Sequence, residues 1–214
     1  FTCHEDLGYD VTNLFHYLTG YAPEQHYREL LVAPQNMRDR FEALIQREID
    51  HAEAGREGRI VAKMNQLNDE AIIAELYRAS RAGVQIDLIV RGHCRLRPGL
   101  EKYSENIRVI SILGRFLEHT RIYYFANDGD GSLYIGSADW MSRNLNDRVE
   151  AIAEVTAPEH KARILDLLDR ALSDRCSAWD LHPDGRYTQR RPTSPEAAQG
   201  FQEQLMARAR QRTG

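Results

Sequence analysis

Apolar residues first recur at helical spacing near the start of the chain, where Val11, Leu14, Phe15 and Leu18 mark one face over residues 10–20 and Gly20 is a natural stop. This helix has no strand of its own behind it. Residues 29–33 read as a strand, and Met37, Phe41, Leu44, Ile45 and Ile49 then line one face of a helix ending near Gly55. A second strand–helix unit follows. Residues 59–64 are strand-like, Asn68 or Asp69 can cap a helix carrying Ile72, Leu76 and Tyr77, and Gly83 closes it. Residues 84–90, rich in β-branched side chains, form the next strand.

Pro98-Gly99 breaks the pattern, and residues 107–113 resume it as a strand. Residues 120–125 and 133–135 are two short strands separated by Asn127-Asp128-Gly129-Asp130-Gly131, a run that tolerates positive φ, so a hairpin is expected. Residues 149–155 form another strand. A helix over 158–173 turns Ile164, Leu165, Leu168 and Leu172 inward, and Ser194-Pro195-Glu196 offers an N-cap and first-turn proline for a last polar helix. Strands alternating with helices predict an α/β fold, a mixed or mainly parallel sheet with helices packed on it.

Composition narrows this picture only slightly. Hydrophobic residues make up 42% of the 214 and charged residues 28%, enough to bury a core and too apolar for a disordered chain. No apolar run approaches the roughly 20 residues that span a bilayer. The opening FTCHEDLGYD has neither a basic nor an apolar leader region, so export is not expected. Cys3, Cys94 and Cys176 fit no disulfide framework or metal-binding spacing, which suits a reducing cytoplasm. A net charge of −4 argues against a nucleic-acid coat, so an anion site would have to be local. The opening also reads as if cut from a longer chain, which makes a fragment the expectation.

Motifs for P-loop, dinucleotide, zinc-protease and serine-hydrolase chemistry are absent. What stands out is His119-Thr120-Arg121 entering a strand, followed across the hairpin by Gly136-Ser137-Ala138-Asp139 and then Arg143-Asn144. Strand alternation would put His119 and Arg121 on one face, where an imidazole and a guanidinium suit a phosphoryl group. Gly136 would let backbone approach the ligand, and Ser137 and Asn144 would donate further hydrogen bonds. Read alone, the pattern leaves open whether His119 is catalytic or a hydrogen-bonded structural residue.

HTRIYYF followed by GSADW resembles the phospholipase D signature, with arginine in place of its lysine and Asp139 in place of its asparagine. Those departures resemble the polyphosphate kinase family instead. So do LLVAPQN at 30–36, IVAKMNQLND at 60–69, IDLIVRGHCRLRPG at 86–99, ENIRVISILGRFLEHTRIYYF at 105–125 and YIGSADWMSRNLNDRVE at 134–150. The likeness runs from about Phe1 to Arg170 and fades in the last helix. It implies a phospholipase D-like mixed sheet and reversible transfer of the ATP γ-phosphate to inorganic polyphosphate through a phosphohistidine.

By the same resemblance Arg91 and His119 contact ATP, with His119 catalytic. From their chemistry and placement Arg121, Ser137 and Asn144, together with Lys63 and Asn65 on one face of their strand, are expected as further phosphate contacts. Arg95, Arg97, Arg115 and Arg143 would line the passage of the polyanion, and Trp140 would pack rather than stack on a base. The family's phosphorylated histidine and magnesium-linked arginines lie upstream of Phe1. No Mg2+ ligands are therefore expected here, and the isolated chain should be inactive. Residues 1–28 would end the preceding catalytic domain and 29–214 form the C-terminal one. The expected partners are ATP or ADP, polyphosphate, the upstream domains and further copies of the enzyme, with no nucleic acid. The expected location is cytoplasmic or peripheral at the inner membrane. The rival readings are a phospholipase D-like phosphodiesterase and a non-catalytic polyanion-binding module.

Overall fold

The computed structural model describes residues 4–21, 26–194 and 198–213, so Pro195 and Glu196 of the expected cap lie outside the described residues. Its centre is a parallel trio, β2 (Arg59–Met64), β3 (Gln85–Val90) and β4 (Ile107–Ile112). α3 (Glu70–Arg81) joins the first two and is capped by Asp69, whose side chain accepts the Ile72 N–H. Every other pairing between the described strands is antiparallel. β5 (Ile122–Phe125) lies on β2, β6 (Ser132–Gly136) on β5, β7 (Glu150–Glu154) on β6, and β1 (Leu31–Ala33) on β7. On the far edge β8 (Ala178–Leu181) pairs with β4 and β9 (Tyr187–Gln189) with β8. The β8–β9 hairpin escapes the hydrophobic pattern because β9 is wholly exposed; Pro183-Asp184-Gly185, with Gly185 at φ 88°, is the turn signal that marks it.

Helices cover both faces, which is why the central strands read as continuous apolar runs. On one face Phe41 and Ile45 of α2 (Met37–Glu53) and Ile72 and Leu76 of α3 pack on Ile60, Leu88 and Tyr123. On the other, Leu168 and Leu172 of α5 (Pro158–Ser173) and Phe201 of α6 (Phe201–Thr213) pack on Val61, Ile110 and Ile122. Trp140 is fully buried against Tyr123 and Phe41, with ring centroids at 4.9 and 5.5 Å, so it packs as expected. The hairpin between β5 and β6 turns through Asn127 and Asp128 at φ 47° and 52°.

α1 (Glu5–Leu18) begins earlier than its apolar stripe implies and turns that stripe away from this core. Val11, Phe15 and Leu18 are exposed, whereas Asp10 is buried. Its carboxylate accepts the N–H groups of Arg28, Glu29 and Leu30 at 2.9, 2.7 and 2.8 Å, tying the helix to the start of β1.

Candidate active site

The site gathers at the C-terminal ends of the parallel strands, where open α/β sheets place ligands. Asn65 directly follows β2 and Arg91 directly follows β3. Asn65 Oδ1 accepts from Arg91 Nε at 2.7 Å. The Asn65 N–H donates to Asp139 Oδ1 at 2.9 Å, and Arg121 Nε donates to the same oxygen at 3.0 Å. Asp139 in turn donates its own N–H to Asn144 Oδ1 at 2.9 Å. Arg91, Asn65, Asp139, Arg121 and Asn144 thus form one hydrogen-bonded series centred on a buried carboxylate. Beneath it the Tyr123 hydroxyl donates to the Ala138 carbonyl at 2.6 Å; burial first, and the Asp139 charge second, push this phenol well above its ordinary pKa and keep it a donor.

The shared-face expectation for His119 and Arg121 needs correction. β5 starts only at Ile122, which stands opposite Lys63, so residues 119–121 precede the ladder and strand alternation does not govern them. What relates them is a hydrogen bond from Arg121 Nη1 to the His119 carbonyl at 2.8 Å. His119 itself is exposed. Arg121 therefore links Asp139 to the segment that presents the imidazole.

Lys63 and Asn65 serve different partners. Lys63 Nζ pairs with Glu118 Oε2 at 2.8 Å, while Asn65 anchors Arg91. Glu118 was not singled out by sequence, although it stands directly before His119 in the LEH block. Gln202 was also missed, and its amide reaches Glu118 from α6.

Ser137 and Gly136 also take different roles from those expected. The Ser137 N–H donates to the Ala151 carbonyl at 3.1 Å and its Oγ accepts the Ala151 N–H at 3.1 Å, so Ser137 extends the β6–β7 edge. A Cβ on Gly136 would come within 2.3 Å of the Ala151 carbonyl oxygen, so the glycine serves strand approach rather than ligand approach. Asn144 uses its side-chain oxygen to fix Asp139.

The passage residues spread out. Arg95 pairs with Glu70 at 3.0 Å on the surface, exposed Arg97 donates its backbone N–H to Tyr77, and exposed Arg143 lies on α4 (Ser142–Asn146). Arg115 borders a recess of about 240 Å³ with Arg91, Leu113 and Phe116. On its other side Arg91 borders a largely apolar groove of about 280 Å³ with Ser111, Leu113, Trp179 and Tyr187.

Residues 30–202 match the family described as polyphosphate kinase C-terminal domain 2. The chain belongs to that family. A polyphosphate kinase of Synechocystis is 59% identical over 208 residues, covering 97% of this chain and 29% of that protein. One from Streptomyces coelicolor is 44% identical over 100% of this chain and 29% of its own length. The crystal structure of polyphosphate kinase from Porphyromonas gingivalis superposes with a TM-score of 0.88 at 37% identity, over 100% of this chain and 33% of that one. Nuc from Salmonella typhimurium, a phospholipase D family member, shares the fold at a TM-score of 0.52 and 12% identity, over 72% of this chain and 97% of its own. The family match continues to Gln202, beyond the Arg170 after which the motif resemblance fades. The chain thus spans less than a third of the Synechocystis kinase, and it carries that family's C-terminal domain.

Proposed function

We propose that this chain is the C-terminal half-site of an enzyme that reversibly transfers the ATP γ-phosphoryl group to polyphosphate, with the nucleophilic histidine supplied from elsewhere in the same polypeptide. The observation that carries this reading is the anchoring of Arg91. Among the described residues its side chain donates only through Nε, to Asn65, which orients the guanidinium and leaves both terminal nitrogens for phosphate oxygens. Arg121 is fixed more fully, through Nε in an ion pair with Asp139 and through Nη1 on the His119 carbonyl, which leaves Nη2 for a ligand. Two cations fixed before substrate arrives stabilise a transferring phosphoryl without reorganising at the moment of reaction.

In the first step a P–N bond to the supplied histidine forms as the P–O bond to ADP breaks. In the second, a terminal polyphosphate oxygen takes the phosphoryl and releases the histidine. His119 donates a hydrogen bond or proton to the phosphoryl group from the side opposite the nucleophile. Arg115, beside the recess that Arg91 borders, belongs to the polyanion path with Arg95, Arg97 and Arg143. We place the Mg2+ ligands outside this chain, as the family resemblance implies. Residues 1–28 are assigned to the preceding domain, a reading that the exposed Val11, Phe15 and Leu18 of α1 support. The enzyme is taken as cytoplasmic or peripheral at the inner membrane, and as homo-oligomeric. No described helix is long and apolar enough to cross a membrane.

The test is an acid-labile phosphate assay with γ-labelled ATP on this chain and on the full-length polypeptide. Only the full-length protein should become labelled. Stoichiometric labelling of this chain alone would falsify the assignment of the nucleophile.

A further inference from the structure

The loop that presents His119 has little core to rest on: Leu113, Phe116 and Leu117 are all exposed. A single buried side chain from the C-terminal helix holds it instead. Gln202 of α6 accepts the Phe116 N–H through Oε1 at 2.8 Å, and its Nε2 donates to the Phe116 carbonyl at 2.9 Å. The same Nε2 donates to Glu118 Oε1 at 2.8 Å, while the other Glu118 oxygen holds Lys63 at 2.8 Å. The fit is close from the opposite side too, since a Cβ on Gly114 would lie 2.5 Å from Gln202 Oε1.

We propose that Gln202 is a positioning residue for phosphoryl transfer, one that sets the register of the 113–119 loop and so aims His119. The proposal rests on the reading of His119 given above. Its physical basis is that one planar amide satisfies both polar groups of the Phe116 peptide and steers the carboxylate next to the imidazole. Few other bonds fix this exposed segment: the Leu113 N–H reaches the Ser177 carbonyl at 3.4 Å, and Arg121 holds the His119 carbonyl at 2.8 Å. A placement error near 1 Å at a reacting group costs on the order of a hundredfold in rate. Arg91 is anchored separately on Asn65, so nucleotide binding should depend little on Gln202.

The experiment measures kcat, KM for ATP and thermal midpoint in the full-length enzyme. Gln202→Met keeps the length and packing of the side chain but removes its hydrogen bonds. It should lower kcat at least about tenfold, with KM for ATP changed less than about threefold and a melting point within a few degrees of wild type. Gly114→Ala displaces the same amide without altering α6 and should reproduce the effect. In a Gln202→Ala background, Gly114→Ala should add less than about a twofold loss, because the group it displaces is already gone. Wild-type kcat in both Gln202→Met and Gly114→Ala overturns the proposal. So does an additive loss in the double variant, or a loss of rate that merely tracks a lowered melting point. His119→Ala tells the two readings apart: full activity there sinks the assignment of His119, whereas a strong loss there beside an unaffected Gln202→Met sinks only the role of Gln202.

Discussion

Lys63 and Glu118 form a 2.8 Å ion pair in which the side chains are only 6% and 17% exposed. The lysine that sequence offers as a phosphate contact is thus already neutralised, and its carboxylate partner is the residue next to His119. A pair so far out of water stabilises little in net terms, because desolvation offsets most of the attraction; removing one partner strands the other charge.

Glu118→Ala should therefore destabilise the fold by about 3–5 kcal/mol, whereas the combined change Lys63→Met with Glu118→Gln should recover most of that loss. Urea unfolding of the three proteins is the measurement. A single variant as stable as wild type would mean that the ammonium finds water, not Glu118, in solution.

Arg121 bonds two groups in different directions, Asp139 through Nε at 3.0 Å and the His119 carbonyl through Nη1 at 2.8 Å. A lysine carries the charge on one nitrogen and cannot reproduce that planar fork. Arg121→Lys should lower kcat of the full-length enzyme about tenfold or more while leaving it folded. Activity within about twofold of wild type would show that charge alone suffices.

Asp69 ties three elements together. Its carboxylate receives both Arg38 terminal nitrogens at 2.9 and 2.7 Å, the Ser142 hydroxyl at 2.9 Å and the Ile72 N–H at 3.1 Å. Burial acting alone would raise its pKa, but these hydrogen bonds, with that from Arg38 the strongest, leave it below the ordinary carboxylate value. The folded pKa thus lies below the unfolded value of about 3.9. Its stabilisation is present above that pH and lost as pH falls through the lower folded value. Asp69→Asn should cost about 1–3 kcal/mol at pH 7, and the gap to wild type should begin to narrow below about pH 4. Unfolding curves at several pH values decide this; a gap that persists unchanged at pH 3 contradicts it.

Local periodicity was enough to find α2, α3, α5 and the parallel trio, because each buries a continuous apolar face. It was enough to find α1 but not its orientation. A stripe of Val11, Phe15 and Leu18 reports that something covers it and not what, and here the buried contact is made by Asp10 instead. β8 and β9 were illegible for the opposite reason: both are short, and β9 is wholly exposed, so there is little alternation to read.

The sequence by itself determined the α/β class, the family and the residue types suited to a phosphoryl group. Its motif blocks are contiguous, and local spacing is what a chain displays directly. Only the tertiary structure decided which cations keep their nitrogens for a ligand. Arg91 is oriented by the neutral Asn65 and keeps both terminal nitrogens, whereas Arg121 is paired with Asp139, Lys63 with Glu118 and, at the surface, Arg95 with Glu70. Those pairings join residues far apart in the chain, and they depend on strand order and on a register in which Ile122 stands opposite Lys63. Register is set by burial on both faces of the sheet, a property of the whole fold that no local window of residues contains.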